Sequence, residues 1–406
     1  MSTDALVFNP FLPEFHANPY PFYARLRKED PVHQSPLGFW VLTRYDDVVT
    51  VLRDPCFGRA GFHPMLADVQ TRAANPNPLP PSMLFQDPPD HTRLRALVNT
   101  AFTTRVIEAM RPHIQDIVNR LLDRVVPTGT MDIIEDLAYP LPVTVICEML
   151  GVPVNDQAAI RQWSADLARS LDSLGQQADV EVQERGVRAR HALAEYFRTQ
   201  IPERRRQPRT DLLSALIAAE EKGDRLTEGE LLAMCVLLFV AGHETTVNLI
   251  GNGMLALLRH PDELRRLRAD PTLIPSAVEE ILRYDSPVQR TARIPSADVT
   301  IDGHTIRQGT MVVAAIGAAN RDPAHFVDPD CLDIGRRDNR HVSFGFGIHF
   351  CLGAPQARLE GQVAIGTLIS RAAHLQQASE VLEWRESSTL RGLKALPVTL
   401  CVRPRK

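Results

Sequence analysis

The stretch Phe344-Gly-Phe-Gly-Ile-His-Phe-Cys351-Leu-Gly353 is the most informative part of this 406-residue sequence. Its glycines allow positive φ values, so the backbone can turn tightly and approach a partner closely. The following residues, from Ala354 to Glu360, predict the start of a helix, which places Cys351 at a helix N-terminus. Unsatisfied N–H groups and the positive end of the helix dipole stabilise a thiolate there. The pattern predicts a nucleophilic, redox-active or metal-binding thiol, with a buried structural cysteine in a tight turn as the alternative.

Zinc is one metal that His349 and Cys351 could bind. A zinc site needs about four ligands in one cluster. His341 lies nearby in the sequence, but no second pair of cysteines accompanies it. The ligand count therefore disfavours zinc, and the identity of any metal at Cys351 has to come from the other motifs of the chain.

Composition and charge exclude several classes of protein. The 45 Lys and Arg residues nearly balance the 49 Asp and Glu residues, giving a formal net charge of −4 and no overall signal for nucleic-acid binding. The six cysteines are too scattered for a disulfide framework, which favours a reducing compartment. Residues 1–15 lack the features of a signal peptide, and the longest wholly apolar stretch, Leu231–Gly242, is too short to span a bilayer. We therefore expect a cytoplasmic protein without a membrane or nucleic-acid partner.

Helical spacing dominates the sequence from about residue 90 to residue 281. Thr227 and Glu230 have the spacing of a capping box, and an apolar run then continues to about Leu258. Because residues 231–242 are apolar on every face, this helix should lie buried in the middle of the protein. Alternation typical of strands is limited to short segments, at 32–34, 39–43, 299–301, 304–306 (after a turn at Asp302-Gly303), 311–315 and 398–402. The sequence predicts a mainly α fold with a small β part, in one domain covering residues 1–406.

Gly242, Glu244 and Thr245 interrupt the apolar middle of the long helix. A buried carboxylate is costly unless it has partners. A local widening of the helix with inserted water would accommodate the acid and the hydroxyl, and it would suit proton delivery to a reacting group in a dry pocket. The alternative is a helix kink in which Thr245 back-bonds to the preceding turn.

Two further pairs of residues have helical spacing. Glu280 and Arg283 are three residues apart on one helix face, so they can form a bidentate ion pair. His91 and Arg95 are four residues apart at a helix start, where they could bind an anion. Taken alone, each pair is also typical of an ordinary solvated helix surface.

In this order along the chain, these motifs resemble those of the cytochrome P450 family in its soluble bacterial form. The resemblance extends to Asp87–Arg95, Ala319–Pro323 and Asp333–Arg336, and it covers nearly the whole chain. It implies the single-domain cytochrome P450 fold with a long central buried helix. It also implies a bound haem b whose iron is ligated by the thiolate of Cys351.

The resemblance assigns further residues to the haem and its surroundings. Phe344 and Gly353 would lie next to the sulfur ligand, and Gly242 would lie over the opposite face of the haem. Thr245 would hydrogen-bond the dioxygen, and Glu244 would relay protons. The residues that match propionate-binding positions are His91, Arg95, Arg293 and His349. The residues that match the family's internal ion-pair network are Glu280, Arg283 and Arg336.

The resemblance also outlines the substrate pocket. The proline-rich stretch 60–90, which shows little periodicity, predicts a lid or binding loop and resembles the family's substrate-covering loop. Residues 174–180 resemble the turn of its helical lid. The residues expected to line the pocket are Leu238, Ala241, Pro287, Val288, Thr291 and Leu390.

The implied activity is that of a monooxygenase, which hydroxylates a C–H bond of a small or medium apolar substrate with dioxygen and two electrons. No part of the chain matches a flavin or iron–sulfur domain, so a separate ferredoxin or flavodoxin, with its reductase, is expected to supply the electrons. Arg105, Arg111, Arg340 and Arg358 could form a basic docking patch or could be scattered surface arginines. The alternatives are a peroxide-driven peroxygenase, which typically lacks the acid–alcohol pair, and a non-catalytic haem-binding or sensor protein.

Overall fold

The computed structural model describes residues 8–73, 77–125, 128–153, 156–170, 172, 179–221 and 226–402. The chain forms two compact units. The first unit comprises Met1–Phe57, Thr104–Pro142 and Thr245–Lys406, and the second unit comprises Gly58–Thr103 and Val143–Glu244. Helices predominate in the described residues and the strands are short, so the predicted mainly α fold with a small β part is confirmed.

The helices of the described residues vary from single turns to 32 residues. In chain order they are α1 (Pro13–Ala17), α2 (Tyr20–Glu29), α3 (Tyr45–Arg53), α4 (His63–Arg72), α5 (Asp90–Asn99), α6 (Thr104–Ala109), α7 (Arg111–Val125), α8 (Pro140–Met149), α9 (Gln157–Ser170), α10 (Val180–Arg206), α11 (Leu212–Glu221), α12 (Glu228–Arg259), α13 (Pro261–Ala269), α14 (Ile274–Tyr284), α15 (Ile316–Ala319) and α16 (Ala354–Arg371). A π-helical turn, Ile134–Ala138, precedes α8.

The strands are all six residues long or shorter. In chain order they are β1 (Val32–Gln34), β2 (Trp40–Leu42), β3 (Phe57–Gly58), β4 (Thr130–Asp132), β5 (Thr291–Pro295), β6 (Val299–Ile301), β7 (His304–Ile306), β8 (Val312–Ala314), β9 (Ala372–Gln377) and β10 (Pro397–Val402). All the strands foreseen from alternation are present. β3, β4, β5 and β9 were not foreseen, because none of them has a clear alternation of apolar and polar residues.

The long helix of the prediction is α12. Its N-terminus has the predicted capping box, in which Glu230 N–H donates to Thr227 Oγ1 (3.2 Å) and Thr227 N–H donates to Glu230 Oε2 (2.8 Å). The helix is α-helical throughout, so the local widening near Gly242, one of the two arrangements considered from the sequence, is not found. By length and composition α12 could cross a membrane, but 78% of its most apolar window is buried inside the protein, as is typical of a core helix.

The largest group of paired strands in the first unit consists of β1, β2, β8 and β5. β1 and β2 are antiparallel, β2 and β8 are parallel, and β8 and β5 are antiparallel. β6 and β7 form the predicted hairpin, in which Asp302 (φ 47°) and Gly303 (φ 80°) supply the two positive φ values of a type I′ turn. β10 pairs with both β4 and β9, and so it joins segments that are far apart in the sequence.

The stretch 60–90, in the second unit, is more ordered than its sequence predicts. It contains α4 and two short 3-10 turns, Ala60–Phe62 and Met83–Phe85. None of the residues of α4 is buried, so this helix lacks the apolar stripe from which it could have been predicted. The carboxylate of Asp87 accepts hydrogen bonds from the N–H groups of Arg59 and Ala60 (both 2.8 Å), which joins the two ends of the stretch. Most of the predicted lid turn at 174–180 lies outside the described residues.

Candidate active site

The glycine-rich loop before α16 exposes the side chain of Cys351. Gly345 (φ 73°) and Gly347 (φ 68°) have the positive φ values that the sequence predicts. Gly347 also packs so closely on α3 that a Cβ at this position would lie 2.7 Å from Leu52 O. Cys351 N–H donates to Phe344 O (2.8 Å), which closes the loop on itself. The backbone of the loop therefore determines where the thiol is presented.

Cys351 lies just before the N-terminus of α16. Gly353 is the N-cap residue, and Pro355 lies in the first turn. Because α16 has 18 residues, its dipole and its unsatisfied N–H groups favour a negative charge at this end. A Cβ on Gly353 would meet no atom within 4 Å, so the loop borders open space. An exposed thiol with open space beside it fits the binding of a group through the sulfur.

The other cysteines have different surroundings. Cys147 and Cys235 are buried, and burial raises the pKa of each thiol to about 12. Both thiols therefore stay protonated at neutral pH and supply no thiolate. The remaining three cysteines, Cys56, Cys331 and Cys401, lie in turns or in a strand. Of the six, all of which are described residues, Cys351 alone combines exposure with the N-terminus of a long helix.

Glu280 and Arg283 form a fully buried ion pair on α14. Arg283 Nε and Nη2 each lie 2.8 Å from a carboxylate oxygen of Glu280. Arg336 also reaches this carboxylate, with Nε 3.1 Å from Oε2. The other N–H groups of Arg283 donate to backbone carbonyls of the loop after α15, at Asn320 (2.9 Å), Pro329 (2.7 Å) and Cys331 (3.0 Å). The three residues of the predicted ion-pair network thus join this loop to α14.

A second carboxylate, Glu279, joins α14 to α16. Arg358 of α16 donates two hydrogen bonds to Glu279 (2.7 and 2.8 Å), and His341 Nε2 lies 3.1 Å from it. Burial opposes the charge of Glu279, but the hydrogen bonds from Arg358 and His341 outweigh burial and lower the pKa of the carboxyl to about 2. Arg358 also lies over the Phe344 ring, 4.5 Å from its centroid. No role here was predicted for Glu279 or His341, because sequence spacing gives no signal for contacts between residues so far apart.

The predicted propionate-binding residues belong to both units. In the first unit, Arg293 is buried in β5, and His349 is half-buried in the 3-10 turn Gly347–His349. In the second unit, His91 and Arg95 lie one turn apart on α5, with His91 buried and Arg95 half-buried. Each unit therefore supplies two side chains that can donate hydrogen bonds to a carboxylate.

One face of α12 is open. From Leu231 to Leu257, every residue of this helix is buried except Leu237, Ala241, Gly242 and Thr245. Their spacing places these four residues on one side of the helix. The hydroxyl-bearing Thr245 and the predicted pocket residue Ala241 therefore share this open stripe, whereas Leu238 is buried.

Glu244 is buried beside other polar side chains of the second unit. His243 Nε2 lies 3.7 Å from Glu244 Oε1 and 3.0 Å from Ser164 Oγ. His243 Nδ1 donates to Phe239 O (2.9 Å), so in the neutral imidazole Nε2 accepts a hydrogen bond from the Ser164 hydroxyl. Neither Ser164 nor His243 was predicted to act here, although the histidine next to a buried acid was a usable signal.

Four of the predicted pocket residues lie close together in the first unit. Val288 and Leu390 form an isolated antiparallel bridge. Arg391 N–H donates to Pro287 O (2.8 Å), and Thr291 begins β5. The segment after α14 and the segment around Leu390 are therefore side by side. The two predicted pocket residues on α12 belong to the second unit.

The geometry gives little support to a zinc site at Cys351. Within the described part of the chain, no group of three or more His, Cys, Asp or Glu side chains is arranged to hold a metal ion. His341, the third candidate ligand, contacts Glu279 instead. A haem iron, by contrast, takes only one thiolate from the protein on its sulfur side.

Replacing Arg283 with alanine should lower the free energy of unfolding by about 3 to 5 kcal/mol, because Glu280 would remain buried without its main partner. Urea or thermal unfolding of the purified protein measures this loss. Arg266→Ala is the matched control, since Arg266 makes an exposed ion pair with Asp333 (3.0 Å) and its loss should cost less than about 1 kcal/mol. Equal losses in the two variants would contradict the structural role of Arg283.

Comparisons with known proteins match nearly the whole chain. A profile of the family described as Cytochrome P450 matches residues 31–401. Cytochrome P450 107B1 of Saccharopolyspora erythraea is 47% identical over 389 residues, which is 93% of this chain and 93% of the relative. Vitamin D(3) 25-hydroxylase of Pseudonocardia autotrophica is 45% identical, over 95% of this chain and 94% of the relative.

Solved structures are equally similar. The myxobacterial cytochrome P450 CYP267B1, in complex with myristic acid, superposes with a TM-score of 0.88 at 44% identity, over 97% of this chain and 99% of that chain. Members of the family bind haem b through a cysteine thiolate, and they are monooxygenases that use dioxygen and a separate electron donor to act on small molecules. With a profile match from residue 31 to residue 401 and relatives this similar over more than nine-tenths of their length, the chain belongs to the cytochrome P450 family.

Proposed function

We propose that this monooxygenase hydroxylates a C–H bond of a small or medium apolar molecule, with Cys351 as the thiolate ligand of its haem. The observation that carries this assignment is the exposed thiol of Cys351, held by a glycine-rich loop at the N-terminus of an 18-residue helix. Among the six cysteines, it is the one whose surroundings favour a thiolate. When bound, haem b supplies the activation of dioxygen, which an electron-rich thiolate promotes.

The surroundings of Cys351 fit a large apolar group. Phe346, Ile348 and Phe350 are 40%, 50% and 40% exposed, which is a concentration of apolar surface in one short loop. We expect Phe344 and Gly353 to contact the porphyrin beside the sulfur. Phe344 O accepts the hydrogen bond from Cys351 N–H, so Phe344 lies next to the thiol residue, and Gly353 borders open space. Gly242, on the open stripe of α12, is assigned to the same cofactor.

The two propionates of the haem need partners of their own. A carboxylate that leaves water is stabilised by charge-assisted hydrogen bonds from cationic side chains. Arg293 and His349 in the first unit, and His91 and Arg95 in the second, are the side chains that we assign to this role. Burial of Arg293 and His91 favours a fixed acceptor for their N–H groups over bulk water.

Thr245 and Glu244 are proposed to act on dioxygen and on protons. The side chain of Thr245 lies on the open stripe of α12, and its hydroxyl can both donate and accept hydrogen bonds. Glu244 is buried beside His243, which is hydrogen-bonded to Ser164, so groups with exchangeable protons reach the middle of an apolar helix. The reaction needs two protons to convert one oxygen atom to water, and these groups can pass them on. A peroxide-driven enzyme would not need such a relay.

Replacing Cys351 with alanine should remove the thiolate ligand. The carbon monoxide complex of the reduced variant should then lack the red-shifted Soret band of a thiolate-ligated haem, because no other described thiol is both exposed and at a long helix's N-terminus. Cys331→Ala, which removes another exposed thiol, is the control and should keep the band. If the Cys351 variant kept the band, the ligand assignment would be wrong.

Replacing Thr245 with alanine should leave haem and substrate binding intact but divert electrons to hydrogen peroxide. We expect the product formed per dioxygen consumed to fall by about tenfold, since the hydroxyl that orders proton delivery is lost. The product formed, the peroxide released and the reductant consumed are measured together, so that two electrons are counted for each dioxygen. Thr246→Ala removes the adjacent, buried hydroxyl and should leave the coupling unchanged. Unchanged coupling in the Thr245 variant would remove this residue from the mechanism.

We propose an acidic ferredoxin or flavodoxin, with its reductase, as the electron donor, which places the enzyme in the cytoplasm where such carriers are reduced. The four arginines that are candidates for its docking patch all belong to the first unit. Carboxylates balance part of their charge. The pairs are Arg111 with Glu108 (2.8 Å), Arg340 with Asp338 (3.3 Å) and Arg358 with Glu279 (2.7 Å). We therefore expect an attraction that is moderate and sensitive to salt.

The rate constant of haem reduction by a reduced ferredoxin should fall several-fold as the ionic strength rises from about 0.01 M to about 0.5 M, because salt screens exposed charges. Arg111→Glu should lower the rate at low salt. Arg188→Glu, which reverses an exposed charge in the second unit, should not. A rate that is indifferent to salt would contradict electrostatic docking.

A further inference from the structure

Two arginines of α10 have very different surroundings. Arg204 is buried, and its guanidinium binds Asp211 Oδ2 (2.8 Å) and Gly151 O (2.6 Å). This is the ordinary state of an arginine inside a protein, where a carboxylate offsets the cost of removing the charge from water. Arg204 therefore shows how this helix accommodates an arginine whose role is structural.

Arg190 lies on the same helix, about 21 Å before Arg204, and has no such partner. Its Nη2 donates to Pro80 O (2.7 Å), and within the described parts of the chain no carboxylate contacts it. Burial lowers the pKa of Arg190 to about 10, and no acidic group opposes that shift. The side chain is still charged at neutral pH, and most of its five N–H donors remain available.

The acidic residues around Arg190 are engaged elsewhere. Pro80 packs on Gly229 at the start of α12, where a Cβ would lie 3.0 Å from the proline ring. The acids that flank Gly229 are Glu228, which binds Arg198, and Glu230, which binds Arg93. On α4, which packs against α10, Asp68 pairs with Arg72. On α9, the other neighbouring helix, Asp166 accepts from Gln162 (3.2 Å).

Arg190 contacts a loop that the resemblance to the family links with the substrate. Pro80 belongs to the stretch 60–90, which resembles the substrate-covering loop of the family. Arg190 is half-buried, so a small anion can reach it without unfolding the helix. A carboxylate offers two oxygens that match the fork of a guanidinium, and such a pair is strong where water is largely excluded.

We propose that Arg190 binds the carboxylate of the substrate, which makes the substrate class an apolar carboxylic acid. This inference rests on the proposed monooxygenase function and adds to it a specificity-determining residue. The apolar part of the acid would contact apolar side chains, while the carboxylate would replace the missing counter-ion of Arg190. A neutral molecule of the same shape would leave the guanidinium without an anion.

The test is a spectral titration of the haem-loaded enzyme with dodecanoic acid and with its methyl ester, which has the same chain but no charge. The substrate-induced shift of the Soret band gives the Kd of each compound. In Arg190→Gln, the Kd of the acid should rise about 10-fold to 100-fold, as expected for the loss of a charge-assisted hydrogen bond, while the Kd of the ester should change less than about twofold. Arg188→Gln, an exposed arginine on the same helix, should change neither.

Arg190→Lys keeps the charge but loses the fork, so it should bind the acid with intermediate affinity, and it also serves if the glutamine variant does not fold. Equal weakening of the acid and the ester would mean that Arg190 is only structural and would overturn the proposal. Wild-type enzyme that binds the ester as tightly as the acid, or binds neither, would overturn it as well. The thiolate-type Soret band of the reduced carbon monoxide complex is recorded for every variant, because its absence would count against the proposed function rather than against Arg190.

Discussion

Two adjacent carboxylates on α14 hold the parts of the first unit on which the thiol site depends. Glu280 balances the buried charge of Arg283, whose remaining N–H groups bind carbonyls of the loop that leads toward the glycine-rich stretch. Glu279 binds Arg358 on the helix that follows that stretch. A buried ion pair is tolerable only while its hydrogen bonds are all made. The backbone around Cys351 is therefore held both before and after the thiol.

Because of these contacts, the thiol of Cys351 can be exposed and still have a defined position. Cys147 and Cys235 show what burial does to a thiol in this protein, since it raises their pKa values and keeps them protonated. Cys351 is exposed instead, and a tied loop, rather than surrounding side chains, determines where it lies. Phe344 serves both purposes, since its carbonyl closes the loop and its ring packs under Arg358. The residues that stabilise the fold thus also position the thiol that we propose as the cofactor ligand.

The sequence predicted structural features that depend on neighbouring residues, and it did not predict features that lack such a local signal. The capping box of Thr227 and Glu230 and the turn at Asp302-Gly303 depend on neighbouring residues, and both are present as predicted. α4 could not be predicted, because a helix without buried residues has no apolar period. The contact of Glu279 with Arg358 joins residues 79 positions apart, and no spacing rule reaches that far. Local patterns therefore predicted many of the elements and the pair of Glu280 with Arg283, but not contacts such as that of Glu279 with Arg358.

The order of the two units along the chain has a consequence for biosynthesis. All residues of the second unit precede Thr245, whereas the first unit also needs its last segment, which contains α14, Cys351 and β10. β10 pairs with β4, so that sheet cannot close until β10 has left the ribosome. Chains are made from the N-terminus, and segments already released can begin to fold first. With Cys351 as the proposed ligand, capture of the porphyrin has to await synthesis of this segment, because the thiol follows every residue of the second unit.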